Sequence, residues 1–185
     1  MISREQALDL LKEANTPENL MQHALASEAV MKALARNLNE DETLWGLTGL
    51  LHDLDYPATA DTPEKHGIET ANRLLDFLPE SALNAIRAHN AEYTGQAPQT
   101  TFDYALRCGE TVTGLVSAAA LVRPTKMDGM QPKSLRKKMK DKAFAASVSR
   151  EHIKECSQIG LELDAFLAIA IDAMSEIAGE IGLAA

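Results

Sequence analysis

A histidine and an aspartate stand side by side where an apolar run ends. The run LLHDLDY occupies residues 50–56 and places His52 next to Asp53. Burying an aspartate beside a histidine is costly unless a cation or a strong hydrogen-bond donor takes up the charge. This pair therefore predicts a metal site.

Further candidate ligands fall at helix ends or on the apolar faces of other predicted helices. They are His23, His66, His89 and Glu110. Imidazole and carboxylate together suit a divalent transition metal, namely manganese, iron, cobalt, nickel or zinc, and the absence of cysteine at these positions argues against a thiolate zinc site. Because bundle proteins often bring such ligands together from several helices, we expect a metal site in a helical core.

The elements that must position these residues are helices. Helical periodicity runs through nearly every segment, and no segment shows sustained alternation rich in Val, Ile and Thr, so the fold class is predicted to be all-α. The triplet Thr-Pro-Glu at 16–18 predicts a helix to about residue 38 with Thr16 as N-cap, and the same triplet at 62–64 predicts a helix to about residue 77 with His66 in its first turn. A long apolar helix over 102–121 carries Glu110, and a last helix is expected over 164–181.

Size and charge restrict the possible partners. The chain has 185 residues, of which 45% are hydrophobic, which suits one domain with a proper core. A formal net charge of -9 argues against nucleic acid and anionic membrane as partners and favours a small soluble ligand. Only two cysteines are present, and no apolar run reaches the roughly 18 residues of a membrane span, so a cytoplasmic protein is expected.

The order of the candidate ligands resembles a known family. A histidine, a His-Asp pair, two further histidines and a distant acid are similar to the HD-domain superfamily of metal-dependent phosphohydrolases, whose two-metal members carry the additional histidines. The run at 50–56, with TGL at 113–115 and LVRP at 121–124, resembles a bacterial subgroup of small, stand-alone HD proteins. This resemblance implies one HD-type helical bundle over 1–185, with a metal-ligand core at about 17–123 and a C-terminal helical extension at about 132–182.

The resemblance also implies roles for the candidate ligands. His23, His52, Asp53 and Glu110 would hold a first metal, and His66 and His89 a second, with Asp53 bridging the two. Two positions depart from the family pattern. Glu110 stands where the family usually has Asp, and Asn90 follows His89 where some two-metal members have another His or an Asp.

The chemistry that such a site predicts is phosphoester hydrolysis. A divalent ion lowers the pKa of bound water from 15.7 to about 7 and neutralises charge on a phosphoryl oxygen. The predicted substrate is a small phosphorylated molecule, with a nucleotide as the leading candidate. The expected catalytic residues are Asp53 and, as a proton shuttle, Asp55. The predicted substrate-binding cations follow the Glu110 helix and are Arg123, Lys126 and Lys137.

Two other functions fit the same residues. Some HD-domain relatives use a two-iron centre for oxygenation, and the six-ligand set resembles theirs equally. A non-catalytic protein that binds metal and nucleotide is the third possibility. The oligomeric state is left open, and His152, among charged neighbours, is expected to be a solvated surface residue.

Overall fold

The computed structural model describes residues 1–185 and contains helices and turns but no strand, which confirms the all-α prediction. The helices are α1 (Arg4–Glu13), α2 (Glu18–Leu38), α3 (Glu42–Leu51), α4 (Tyr56–Thr59), α5 (Ile68–Arg73), α6 (Glu80–His89), α7 (Ala91–Thr94), α8 (Thr101–Leu121), α9 (Pro132–Met139), α10 (Arg150–Lys154) and α11 (Leu163–Glu176). A 3-10 helix, Glu155–Ile159, continues α10.

Side-chain caps begin several of these helices. The Asp41 carboxylate accepts the Leu44 amide at α3, and Thr100 forms a capping box with Asp103 at α8. Such caps satisfy amide groups that have no partner inside the helix. The prediction that Thr16 caps α2 is wrong. Pro17 occupies the N-cap position, no side chain caps this helix, and the buried Thr16 hydroxyl has no hydrogen-bond partner.

The segment around His66 also differs from its prediction. Residues 63–67 form turns, and the helix begins only at Ile68 and ends at Arg73. The cause is Gly67, whose φ of +84° lies in the left-handed region, so a regular helix cannot start earlier. A Cβ at Gly67 would lie 2.8 Å from the Ile86 carbonyl oxygen, so the turn lies directly against α6.

Helix packing brings the ligand-bearing segments together. α2 packs against α3, α8 and α11, while α8 also packs against α6. At Gly49 the absence of a side chain lets α3 approach α2 closely, because a Cβ there would lie 2.7 Å from the Ser27 carbonyl oxygen. This close approach places the end of α3 beside the middle of α2.

One cluster of buried apolar side chains extends from Ile2 to Leu183. It includes residues of α11, which packs against α2, α8 and α9. The single domain stays a prediction, and this shared cluster is the observation that supports it. None of the helices combines the length and apolar character that a membrane crossing requires.

Candidate metal centre

Four histidine side chains surround the Asp53 carboxylate. The Nε2 atoms of His52, His66 and His89 lie 3.3, 3.2 and 3.5 Å from Asp53 Oδ1. The Nε2 atom of His23 lies 3.6 Å from Asp53 Oδ2. The histidines come from α2, from the end of α3, from the turn before α5 and from the end of α6, so four separate segments supply one cluster.

The cluster divides into two triads that share Asp53. The first triad is His23, His52 and Asp53, and the second is Asp53, His66 and His89; within each, one ligand atom per residue lies within 4.8 Å of the others. The His23 and His52 Nε2 atoms are 3.2 Å apart, and those of His66 and His89 are 3.0 Å apart. Two ligands bound at about 2.1 Å from one ion lie roughly 3 Å apart, so each triad fits a metal ion.

The other ring nitrogen of every histidine in the cluster has a hydrogen-bond acceptor. The Nδ1 atoms of His23, His52, His66 and His89 pair with Thr113 Oγ1, the Gly49 carbonyl, Asp55 Oδ1 and the Ile86 carbonyl, respectively. The Thr113 hydroxyl donates its own proton to the Glu110 carbonyl, so its oxygen accepts from His23. Partners of this kind hold the proton on Nδ1 and leave the Nε2 lone pair for a metal.

Asp55 is a buried partner of His66 and does not line the cavity beside the cluster. Its Oδ1 accepts from His66 Nδ1 at 2.8 Å, and its Oδ2 accepts the amides of Gly67 and Thr70 at 2.8 and 2.9 Å. This placement suits a residue that orients His66. It does not suit the predicted proton shuttle, which would have to reach substrate.

Glu110 lies beside the first triad but outside both triads. Its Oε2 atom is 3.8 Å from His23 Nε2, and its Oε1 accepts a hydrogen bond from the Thr111 hydroxyl. Burial, together with the nearby Asp53 charge, raises the pKa of Glu110 to about 8. In the metal-free protein this carboxyl group therefore holds a proton at neutral pH, and a metal ion that used it as a ligand would have to displace that proton.

Burial and charge set the protonation of the other ligands. Burial lowers the pKa of His52 to about 3, so this imidazole is neutral. For Asp53, burial acts upward, but the electrostatic attraction of the surrounding imidazoles, with His52 foremost, and the hydrogen bonds of His66 and His89 hold its pKa well below the usual range. For His66, burial acts downward, but hydrogen bonds to Asp53 and Asp55 raise its pKa to about 9. In the metal-free protein at neutral pH, an ionised Asp53 therefore lies between a neutral His52 and a protonated His66, and a metal ion would have to displace the His66 proton.

A cavity of about 700 Å³ opens beside the two triads, a volume typical of small-molecule sites. It is lined by Leu20, His23, Asp53, Tyr56, His66, His89, Asn90, Glu92, Tyr93, Glu110, Thr111, Gly114, Ser147, Val148, Ser149 and His152. The segment 147–152 comes from the C-terminal part of the chain, so that part completes the cavity wall.

The three predicted substrate-binding cations do not line this cavity. Arg123 donates to Thr125 and to the Asp128 carbonyl, and Lys126 donates to the Gly182 carbonyl. Lys137 lies on α9. Arg123 and Lys126 lie outside the cavity because α8 is long. Its eleven residues beyond Glu110 rise about 16 Å, which carries the following loop away from the metal ligands.

Two residues near the cavity have roles that the sequence did not indicate. His152, expected on the solvated surface, lines the cavity, and its Nε2 lies 2.9 Å from Glu92 Oε1. The Asn90 side chain donates to the carbonyls of Pro63 and His66, at 2.7 and 3.2 Å, and so ties the turn that carries His66 to the end of α6. Asn90, which departs from the family pattern, therefore makes a structural contact.

Comparison with known proteins agrees with this geometry. No curated protein and no solved structure matches the chain. A family model described as HD domain matches residues 20–142, which include all six predicted ligands. This family generally contains metal-dependent hydrolases. Since the match covers more than half of the 185 residues, the chain belongs to the HD-domain family.

Proposed function

We propose that this protein is a metal-dependent phosphohydrolase that acts on a small phosphorylated substrate, with a nucleotide as the leading candidate. One observation carries the proposal: four histidine Nε2 atoms point at a shared aspartate beside a cavity of about 700 Å³. Membership of the HD-domain family supports the same reaction class.

The residues suit two metal ions. His23, His52 and Asp53 would hold one ion and His66, His89 and Asp53 the other. Glu110 would be an additional ligand on the His23 side. Bound ions of this kind supply an activated water and neutralise phosphoryl charge near neutral pH.

The residues around the ligands orient the imidazole rings and leave the cavity accessible to substrate. The acceptors at each Nδ1 fix four imidazole planes so that the lone pairs face one point. Asp53 and Glu110 line the cavity, so a phosphoester there would lie directly against the ligands. The cavity is also open to solvent at Tyr93, a residue that is 61% exposed, which allows substrate to enter.

The test is phosphate release by protein loaded with manganese, cobalt, nickel, iron or zinc. A panel of nucleotides and generic phosphoesters should include at least one that is hydrolysed. Asp53→Ala should abolish both turnover and metal retention, because both triads lose their shared ligand. Asp172→Ala is the matched control, since Asp172 is exposed and lies outside the centre. If no metal supports turnover of any ester, the proposal is wrong.

A second candidate is a two-iron oxygenase. The observation that favours it is the pair of triads around one shared carboxylate, an arrangement that suits two iron ions equally well. Metal analysis after aerobic and anaerobic preparation separates the candidates, because a single non-iron metal per chain would exclude the oxygenase. Tight nucleotide binding without turnover at any metal would instead indicate a binding protein.

A further inference from the structure

The cavity beside the metal centre has no fixed positive charge. None of its lining residues is a lysine or an arginine, whereas three of them, Asp53, Glu92 and Glu110, are carboxylic acids. Proteins that bind several phosphate groups usually supply arginine or lysine for them. Any charge compensation for a substrate here must therefore come mainly from the metal ions.

The buried guanidinium of Arg107 does not supply the missing positive charge. Arg107 lies beneath the cavity wall with only 3% of its surface exposed. Its guanidinium pairs with Glu92 at 2.9 Å and with Glu155 at 2.8 Å, so two carboxylates share one positive charge. Of these three residues only Glu92 lines the cavity, where it also contacts His152, so Arg107 presents no free positive charge to a substrate.

The cations of this part of the chain lie on the other side of a thin segment. A separate hollow of about 660 Å³ has five cationic side chains in its wall: Arg136, Lys140, Lys142, Arg150 and Lys154. Val148 lines both this hollow and the cavity, so residues 147–149 separate the two. Arg150 is further committed to the carbonyls of Ala145 and Val148, each at 2.6 Å.

A count of charges shows which substrate the cavity can neutralise. Two divalent ions, set against the carboxylates of Asp53, Glu110 and, behind His66, Asp55, leave a net charge of about plus one, and a phosphomonoester carries about two negative charges at neutral pH. A single phosphate group therefore already uses up the positive charge of the centre. Each additional phosphate group brings at least one more negative charge, which would lie near Glu92 with no cation to meet it.

The mouth of the cavity suits an uncharged organic group. Tyr56 and Tyr93 line the cavity and are 39% and 61% exposed to solvent. Asn90 and Ser147 add uncharged polar groups to the wall. Tyrosine offers an aromatic face and a hydroxyl, a combination that binds flat or hydroxylated neutral groups.

We propose that this cavity selects phosphomonoesters with an uncharged body and discriminates against nucleoside diphosphates and triphosphates. The inference rests on the proposed phosphohydrolase function and adds the substrate class. Because the charge of the body matters as well, an ester with a second phosphate elsewhere should also be a poor substrate.

The test compares a nucleoside 5′-monophosphate with the diphosphate and triphosphate of the same nucleoside. With the metal-loaded enzyme we expect kcat/KM for the monophosphate to exceed that for the triphosphate at least tenfold. Calorimetric binding of a nucleoside phosphonate and of the methylene-bridged triphosphate analogue gives a readout without turnover, and the phosphonate should bind more tightly.

Two matched variants isolate the role of charge. Ser147→Lys adds a cation to the cavity wall and should raise affinity for the triphosphate analogue about two- to fivefold, the size of one exposed ion pair. Ser157→Lys adds the same charge at another exposed position outside the cavity and should not.

The outcomes separate this inference from the function on which it rests. A triphosphate that is hydrolysed faster than the monophosphate overturns the inference and leaves the phosphohydrolase function standing. Tight, selective phosphonate binding with no turnover of any ester supports the inference and refutes the hydrolase function. Equal binding of both analogues overturns the inference.

Discussion

Replacing Asp55 by asparagine tests whether the outer partners of the histidines orient the metal ligands. The two oxygens of Asp55 have different tasks: Oδ2 accepts the amides of Gly67 and Thr70, and Oδ1 accepts from His66 Nδ1. An asparagine will keep its carbonyl at the Oδ2 position, because the opposite orientation would strand two buried amides at a cost of about 1–3 kcal/mol each. Its NH₂ group then faces His66 Nδ1.

This exchange changes the tautomer of His66. An NH₂ group can only donate, so Nδ1 must become the acceptor and the ring proton must move to Nε2. That nitrogen is the atom that points at Asp53 and His89. A protonated Nε2 cannot bind a metal, and losing such an outer partner typically weakens metal affinity about 10–100-fold, or about 1.4–2.8 kcal/mol.

The expected result of Asp55→Asn is selective loss of the second ion. Calorimetric titration and metal analysis after dialysis should show one tight site and one weakened site, because the Nδ1 partners of His23 and His52 are unchanged. Nitrogen NMR of the histidine side chains, recorded above pH 9 where His66 of the metal-free protein is neutral, should show that His66 has changed tautomer.

Asp103→Asn is a matched control for this experiment. Asp103 is also 3% exposed and also accepts two backbone amides through one oxygen, but it caps α8 away from the centre. The Asp103→Asn substitution should lower the free energy of unfolding without changing the affinity of either metal site. If Asp55→Asn binds two ions as tightly as the unchanged protein, or if both variants lose metal equally, the argument about outer partners is refuted.

Three further predictions concern the frame of the site. Arg107→Met leaves Glu155 and the carbonyl of His89 without their partner and leaves Glu92 with His152 alone; because both carboxylates are partly exposed to solvent, the change should cost about 1–3 kcal/mol of stability, measured by urea unfolding. Gly67→Ala forces a left-handed backbone on alanine and sets its Cβ against the Ile86 carbonyl oxygen, so it should cost more than the ~1–3 kcal/mol of the backbone strain alone while weakening only the second metal site in titration. The hydrogen bond from Arg107 lowers the pKa of Glu92 from 4.5 to about 2. The stability that ionised Glu92 adds to the folded protein is therefore complete above pH 4.5 and is lost as the pH falls towards 2. Glu92→Gln should flatten the profile of folding stability against pH in that window.

The structure brings the predicted metal ligands together but places the predicted substrate-binding cations elsewhere. His23, His52 and Asp53 could be recognised because their order along the chain matches the family pattern, and the structure brings all three into one triad. Arg123 and Lys126 were predicted from their nearness in sequence to Glu110. Sequence distance is a poor guide there, because a long straight helix carries the chain away from the centre.

Local signals also failed where tertiary contacts decided the backbone. The Thr-Pro-Glu triplet at 62–64 predicts a helix start, but Gly67 lies against α6 in a left-handed conformation and delays the helix to Ile68. His152 looked like a surface residue because its sequence neighbours are charged. It is held at the cavity by Glu92, sixty positions away, which no local pattern can indicate.

The positions of the four histidines explain why their outer partners differ. His52 is the C-cap of α3, and His89 is the last residue of α6. The last carbonyls of a helix have no partner within it, so each of these histidines reaches the carbonyl three residues earlier through Nδ1. The helix end itself therefore orients the ring.

His23 and His66 have no free helix-end carbonyl three residues earlier to accept from Nδ1. His23 lies inside α2, where the nearby carbonyls are already engaged, and His66 lies in a turn. Each therefore needs a side-chain acceptor, which Thr113 and Asp55 provide. Thr113→Val should accordingly weaken the first metal site as Asp55→Asn weakens the second, with the two losses resolved by titration. If Thr113→Val weakened the second site instead, the pairing of each outer partner with its own triad would be wrong.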